Sequence, residues 1–128
     1  MIESELTYQN ARQMSLAGDY DGAIDVLNSA LKVTPKELNL ITLKGNILEL
    51  KVYADQSDNV QSHLSNVNLK EARICYESVL KLDEKNIRAL VDLGNLEIDA
   101  DNKVAAKRHL IKAQILAKTE ISPDGDLI

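Results

Sequence analysis

At 128 residues the chain is long enough for about one domain, and with 45% hydrophobic but only 3% aromatic residues, no Phe and no Trp, its core must be built from Leu, Ile, Val and Ala, which suits packed helices better than a sheet. The net charge of −5, with Lys and Arg scattered among the acids, lacks the basic footprint of a nucleic-acid binder. The opening MIESELTYQN has neither a basic region nor an apolar run, and no stretch approaches the roughly 18 apolar residues of a spanning helix, so neither a signal peptide nor membrane insertion is expected and a cytoplasmic location is. A lone cysteine, Cys75, can form no internal disulfide and has no second cysteine for a metal site; in an apolar-rich helical stretch it reads as a small packing residue.

Taken in order, residues 4–17 carry a weak helical stripe of Leu6, Met14 and Leu16 among Ala11 and Ala17, ended by Gly18. Asp19 can cap a second helix over 20–33, with Asp21 adding negative charge to its first turn. Thr34, Pro35 and Glu37 form a start signal, with Thr as N-cap, Pro at the first helical position and Glu bonding back. The third helix then carries Leu38, Ile41, Leu48 and, near its end, Val52, with Gly45 in mid-helix, where it costs about 1 kcal/mol relative to Ala and so implies a close helix contact. Between Lys51 and Asn68 the composition turns polar, Asn- and Ser-rich, which predicts a loop with room for one short helix around Val60 and Leu64. Asn68 and Glu71 cap a fourth helix running to Leu82, 83–86 is a turn, a fifth helix covers 87–100 with Leu90, Leu93 and Gly94 inward, and Asp101 and Asn102 turn into a sixth over 103–118. The tail, residues 120–128, has Pro123 and Gly125 and no periodicity, so it is expected to be flexible.

The second, fourth and sixth helices share a spacing. Ala23, Leu27, Ala30 and Val33 recur as Ala72, Tyr76, Val79 and Leu82 and as Ala106, Leu110, Ala113 and Leu116. Ala11 to Gly45 is 34 residues, Gly45 to Gly94 and Ala23 to Ala72 are 49, and Ala72 to Ala106 is again 34. All four distances fit a 34-residue helical-hairpin unit whose second copy carries 15 extra residues, an insertion placed at 52–66. The units are then about 4–37, 38–86 and 87–118, within a single domain over 1–119.

A 34-residue helix-turn-helix period with these residues resembles the tetratricopeptide repeat. The first unit has the turn Gly18-Asp19-Tyr20 with Ala23, Leu27, Ala30 and Pro35; the second Ile41, Gly45, Leu48, Ala72, Tyr76 and Val79; the third Leu90, Leu93, Gly94, Ala106, Leu110 and Ala113. Thr7 and Ala11 match poorly, Lys44 stands where Leu is usual, Glu84 replaces the closing Pro, and Glu97 occupies an aromatic slot. The resemblance implies an all-α, right-handed helical-repeat solenoid of three antiparallel helix pairs, stabilised by stacking of neighbours.

No constellation argues for catalysis, and the chain is not expected to be an enzyme. His63 and His109 have no second His or Cys at i+3 or i+4 for a metal, Asp92 with Asp99 or Glu97 reads as a solvated helical face, and no phosphate loop, nucleophile elbow or dinucleotide fingerprint occurs, so neither metal nor cofactor is expected. In the family the first helix of each pair lines a concave surface. The resemblance places Tyr8, Gln9, Arg12 and Ser15, then Asn39, Thr42, Leu43, Asn46 and Glu49, then Arg88, Val91, Asp92, Asn95 and Ile98 on it. Asn46 and Asn95 share a slot from which an amide can bond both polar groups of an extended peptide backbone, or they are simply polar groove residues. The basic clamp by which some members hold a C-terminal carboxylate is absent, since Tyr8, Arg12, Leu43, Arg88 and a repelling Asp92 fill its slots.

These features imply a non-catalytic module that binds a segment of another protein in its groove. A dedicated inhibitor or chaperone, such as a toxin immunity protein or a secretion chaperone, and a self-assembling structural module are the competing readings. The apolar side chains around Leu110, Ala113, Ile115 and Leu116 lack an evident cover, so a homodimer through the C-terminal repeat, or a partner docking there, is expected unless Ile121, Leu127 and Ile128 fold back over them.

Overall fold

The computed structural model describes residues 2–54 and 67–121. Among them are six helices and no strand: α1 (Ile2–Leu16), α2 (Tyr20–Val33), α3 (Leu38–Ala54), α4 (Val67–Leu82), α5 (Ile87–Asp99) and α6 (Lys103–Ile121). They pack as three antiparallel pairs, α1 with α2, α3 with α4 and α5 with α6, stacked in chain order to give an all-α helical-repeat solenoid.

The two short hairpins are closed by the same device. Gly18 sits in the left-handed region at φ 88°, and the next amide, that of Asp19, reaches back to the Met14 carbonyl at 2.9 Å. In the third pair Asp101 takes the left-handed position at φ 59°, and the Asn102 amide bonds the Glu97 carbonyl at 2.7 Å. Asp is among the few non-Gly residues that visit this region. Asp19 then caps α2 by accepting the Gly22 amide at 3.0 Å, and Asn86 caps α5 by accepting the Ala89 amide at 2.9 Å.

Several boundaries differ from expectation. The Thr34 hydroxyl and amide both bond the Ala30 carbonyl, at 3.1 and 2.9 Å, so Thr34 closes α2 instead of opening α3. Pro35 falls in the turn, and α3 starts at Leu38, with the Glu37 carbonyl accepting the Leu40 and Ile41 amides. α3 continues through Ala54 because Val52, only 1% exposed, belongs to the core. α4 begins at Val67, which puts Asn68 inside the first turn rather than at the cap, and α6 continues past Lys118 to Ile121. The rest of the expected insertion, residues 55–66 with Val60, His63 and Leu64, lies outside the described residues, as does the tail from residue 122.

Two clusters make one continuous core. Ala11, Ala23, Leu27, Leu40, Leu43 and Ile47 join the first pair to α3, and Ile41, Leu48, Val52, Leu69, Ala72, Tyr76 and Val79 pack onward to Ala89, Leu93 and Leu96 of α5, with Ile24 and Leu31 touching both. At Gly45 α3 and α4 pack without room for a side chain: a Cβ there would lie 2.6 Å from the Tyr76 ring, which is fully buried. The last member of the first two repeated stripes drifts outward, since ten residues on, a side chain has rotated about 80° from the first; Val33 and Leu82 are exposed, while Leu31 and Leu80 pack inward instead.

Candidate partner-binding groove

The first helices α1, α3 and α5 carry the residues expected to line the concave face, and their environments divide that face in two. At the α1 end, Ser4, Glu5, Tyr8 and Gln9 face Glu37, Asn39 and Leu40 around an open cavity of about 520 Å³. Tyr8 and Asn39, expected in the groove from different repeats, are thus brought together. Ser4, Glu5, Gln9, Glu37 and Asn39 make no side-chain hydrogen bond or ion pair with another described residue. Their donors and acceptors face solvent. Arg12 is exposed beside them, but Ser15 is buried, its hydroxyl donating to the Arg12 carbonyl at 2.8 Å.

At the α3–α5 junction the polar groups are instead saturated by one another. The Asn46 amide nitrogen donates to the Tyr76 hydroxyl at 2.8 Å and to Asp92 at 3.1 Å, while its oxygen accepts from the Arg88 guanidinium at 2.8 Å. Arg88 also pairs with Asp92 at 3.0 Å, one helical turn along α5. The Tyr76 hydroxyl donates to Glu49, and further along the same face the Tyr53 hydroxyl donates to Asp99. Asn46, read either as a residue that meets a peptide backbone or as a plain polar groove residue, has three of the four hydrogen-bonding positions of its amide engaged within the protein, both N–H donors among them. Asn95, its counterpart one repeat on, is exposed with no such partner among the described residues.

Burial removes two further expected groove residues. Thr42 and Leu43 are 8% and 7% exposed, because α3 is covered by neighbours on both sides and Leu43 belongs to the core it shares with α2. Val91 is half-buried, and Ile98, expected in the groove, is exposed and lines a cavity with Leu110 and Ile111 of α6 instead. The carboxylates read as a solvated helical face are instead engaged within the protein: Asp92 serves Asn46 and Arg88, Asp99 accepts from Tyr53, and Glu97 turns inward to Arg73.

The network shifts its acids. Burial raises the Glu49 carboxyl to about 7, the neighbouring Asp92 and Asp99 push in the same direction, and the Tyr76 hydrogen bond only partly opposes them. Burial and the Glu49 carboxylate move the Tyr76 phenol upward, and burial with the Asp99 contact does the same for Tyr53. Glu97, in the slot where sequence comparison expected an aromatic, forms a bidentate pair with Arg73 at 2.7 and 3.1 Å, its side chain 6% exposed. Sequence reading noted the departure at Glu97 but missed its partner. A signal was available: Arg73 stands at the position that Ile24 holds one unit earlier, so charge replaces apolar contact on both sides of one junction.

Elsewhere, burial pushes the Cys75 thiol up to about 11, away from the thiolate that reactivity needs. His109 has its affinity for a proton lowered by burial and by Arg108. Among the described residues no group of His, Cys, Asp and Glu is placed to hold a metal ion, and no helix is long and apolar enough to cross a membrane.

No family model matches the chain, and no curated protein matches it. Among solved structures the chain is similar to one described as the MamA RS-1 ArsTM double mutant, with 22% sequence identity over 92% of this chain and 77% of that one and a TM-score of 0.42. At that identity and TM-score the likeness bears on neither partner nor mechanism.

Proposed function

We propose that the chain is a tetratricopeptide-like interaction module that binds an extended segment of another protein without turnover, and that the segment enters at the α1–α3 end of the concave face. The observation behind this reading is the contrast in polar satisfaction. Tyr8, Gln9, Glu37 and Asn39 surround an open cavity with donors and acceptors unpaired inside the protein, whereas the α3–α5 junction would have to break its own bonds to engage a ligand. An extended backbone needs both hydrogen-bond partners supplied from a groove, and the amides of Gln9 and Asn39 can supply them. Glu5 and Glu37 favour a Lys or Arg side chain on that segment.

Selection from a library of extended peptides, followed by amide chemical-shift mapping on the labelled protein, tests the reading. Shifts are expected to concentrate on Tyr8, Gln9, Glu37 and Asn39, with Asn39→Ala weakening binding about tenfold, the loss of roughly 1.4 kcal/mol, and selected peptides enriched in basic residues. Peptides that map to α5, or that keep full affinity for both Asn39→Ala and Gln9→Ala, would show that this end of the groove is not the site.

A further inference from the structure

The structure shows twice how this chain covers the exposed face of a helix pair. Ile24, Leu27 and Leu31 of α2 are packed against Leu40, Leu43 and Ile47 of α3. In the next pair Tyr76 and Leu80 of α4 pack with Ala89, Leu93 and Leu96 of α5, and Arg73 binds Glu97. Thirty-four residues beyond Arg73, Tyr76 and Leu80 stand Lys107, Leu110 and Gln114 of α6. Among the described residues no further helix lies on them. They line, with Ile98, Lys103 and Ile111, an open and largely apolar cavity of about 350 Å³. Ile98 and Ile111 are 52% and 44% exposed.

Charge discriminates among occupants. In a chain of net charge −5, α6 carries five basic residues and one acidic one. Lys103 and Lys107 stand at the edge of the cavity, and neither forms an ion pair with another described residue. A two-fold dimer through this face would bring the two basic helices together, which disfavours the symmetric pairing expected from the exposed apolar residues alone. Glu97 on α5, by contrast, supplies a carboxylate to the position that Lys107 repeats.

We infer that the α5–α6 face is a second docking surface, distinct from the concave groove, for an amphipathic helix of a partner protein that lays small and branched apolar residues over Ile98, Leu110 and Ile111 and presents a carboxylate to Lys107. Occupation extends the stack by one helix in the manner already used by α3 and α5, and burial of this face supplies the hydrophobic part of the affinity.

The probe is a synthetic peptide of residues 86–100, which holds Ala89, Leu93, Leu96 and Glu97 in the required spacing, titrated into the full chain by calorimetry and fluorescence anisotropy. Saturable binding is expected. Lys107→Glu should weaken it about fivefold, a Glu97→Lys peptide should lose as much against the unaltered chain, and the two changes together should restore it. Ile111→Asp should abolish binding, while Asn39→Ala in the concave groove should leave it unchanged, which separates this surface from the first. No binding by the peptide, or binding unaffected by both Lys107→Glu and Ile111→Asp, overturns the proposal. Sedimentation equilibrium on the unaltered chain covers the remaining occupant: self-association lost on Lys107→Glu would assign the face to a second copy and overturn the partner-helix reading.

Discussion

The two ends of the face expected to be concave are built from the same helical slots and have opposite characters. At α1 the polar side chains point into an open cavity and bind nothing inside the protein. At the α3–α5 junction the equivalent positions are tied to one another through Asn46, Tyr76, Asp92 and Arg88, and behind them Arg73 holds Glu97. A groove residue can therefore contribute to stability or be available to a ligand, and which it does depends on what its neighbours supply. The contrast predicts that equivalent substitutions at the two ends will have unequal effects on the melt.

The largest effect is expected behind the saturated end. Arg73→Ala leaves the carboxylate of Glu97, whose side chain is 6% exposed, without its partner. Removing one member of a buried pair costs 3–5 kcal/mol; because the Arg73 side chain is 29% exposed and water can partly replace it, a loss of about 3 kcal/mol in urea unfolding is expected. Replacing both, as Arg73→Met with Glu97→Leu, should recover most of it. A single substitution with less than about 0.5 kcal/mol of effect would mean the pair is held no more tightly than a surface contact.

Next comes Asn46→Ala, which removes the bonds to Tyr76, Asp92 and Arg88 together and should cost about 2 kcal/mol. Asn39→Ala and Gln9→Ala, at the open end, should change stability by about 0.5 kcal/mol or less. Equal effects of Asn46→Ala and Asn39→Ala would dissolve the distinction between the two ends.

A third comparison sharpens the role of the Tyr76 ring. Ala is favoured over Gly in a helix by about 1 kcal/mol, yet at position 45 its Cβ would meet the buried ring of Tyr76 at 2.6 Å, and that ring also carries the hydroxyl that bonds Glu49 and Asn46. Gly45→Ala should destabilise by a net of about 1–2 kcal/mol. At position 94 the obstructing atoms belong to Leu110, half-buried beside the open α6 cavity, where the side chain has room to turn. Gly94→Ala should be near neutral, and thermal melts of the two variants decide the point.

The repeat was legible because it is written in side-chain volume. Ala11, Gly45 and Gly94, and Ala23, Ala72 and Ala106, mark places where helices must approach, and counting between them locates three stacked pairs. Helix ends were less legible, since Thr34 can close one helix or open the next and only the position of the Ala30 carbonyl decides. The candidate site was legible as a list of slots but not as a state. That Asn46 is engaged and Asn39 is not depends on Tyr76, Asp92 and Arg88 converging from two other helices. Slot arithmetic also could not reveal that Thr42 and Leu43 are covered, because coverage depends on how closely α2 and α4 approach α3.

The last of these effects depends on pH. Glu49 has its carboxyl raised to about 7 by burial, with Asp92 and Asp99 adding repulsion, while Tyr76 donates to it. Tyr53, on the same helix and bonded to Asp99, bears no charge in this range, because its phenol is shifted upward. The folded protein thus binds the Glu49 proton more tightly than the unfolded chain, whose carboxyl titrates near the ordinary value of 4.5. The contribution of the protonated form is complete below the unfolded value and is lost as pH rises through about 7, so this group lowers stability between those limits. Glu49→Gln retains an oxygen that can accept from Tyr76 and removes the titration. Relative to the unaltered chain it should be nearly neutral near pH 4.5 and more stable by about 1 kcal/mol at pH 8, a figure reduced for the group's remaining contact with solvent. Melting temperatures of both proteins across that range measure the difference. If the gap between them stays constant with pH, Glu49 titrates alike in folded and unfolded chains, and the saturated end of the groove does not perturb the carboxylate it contains.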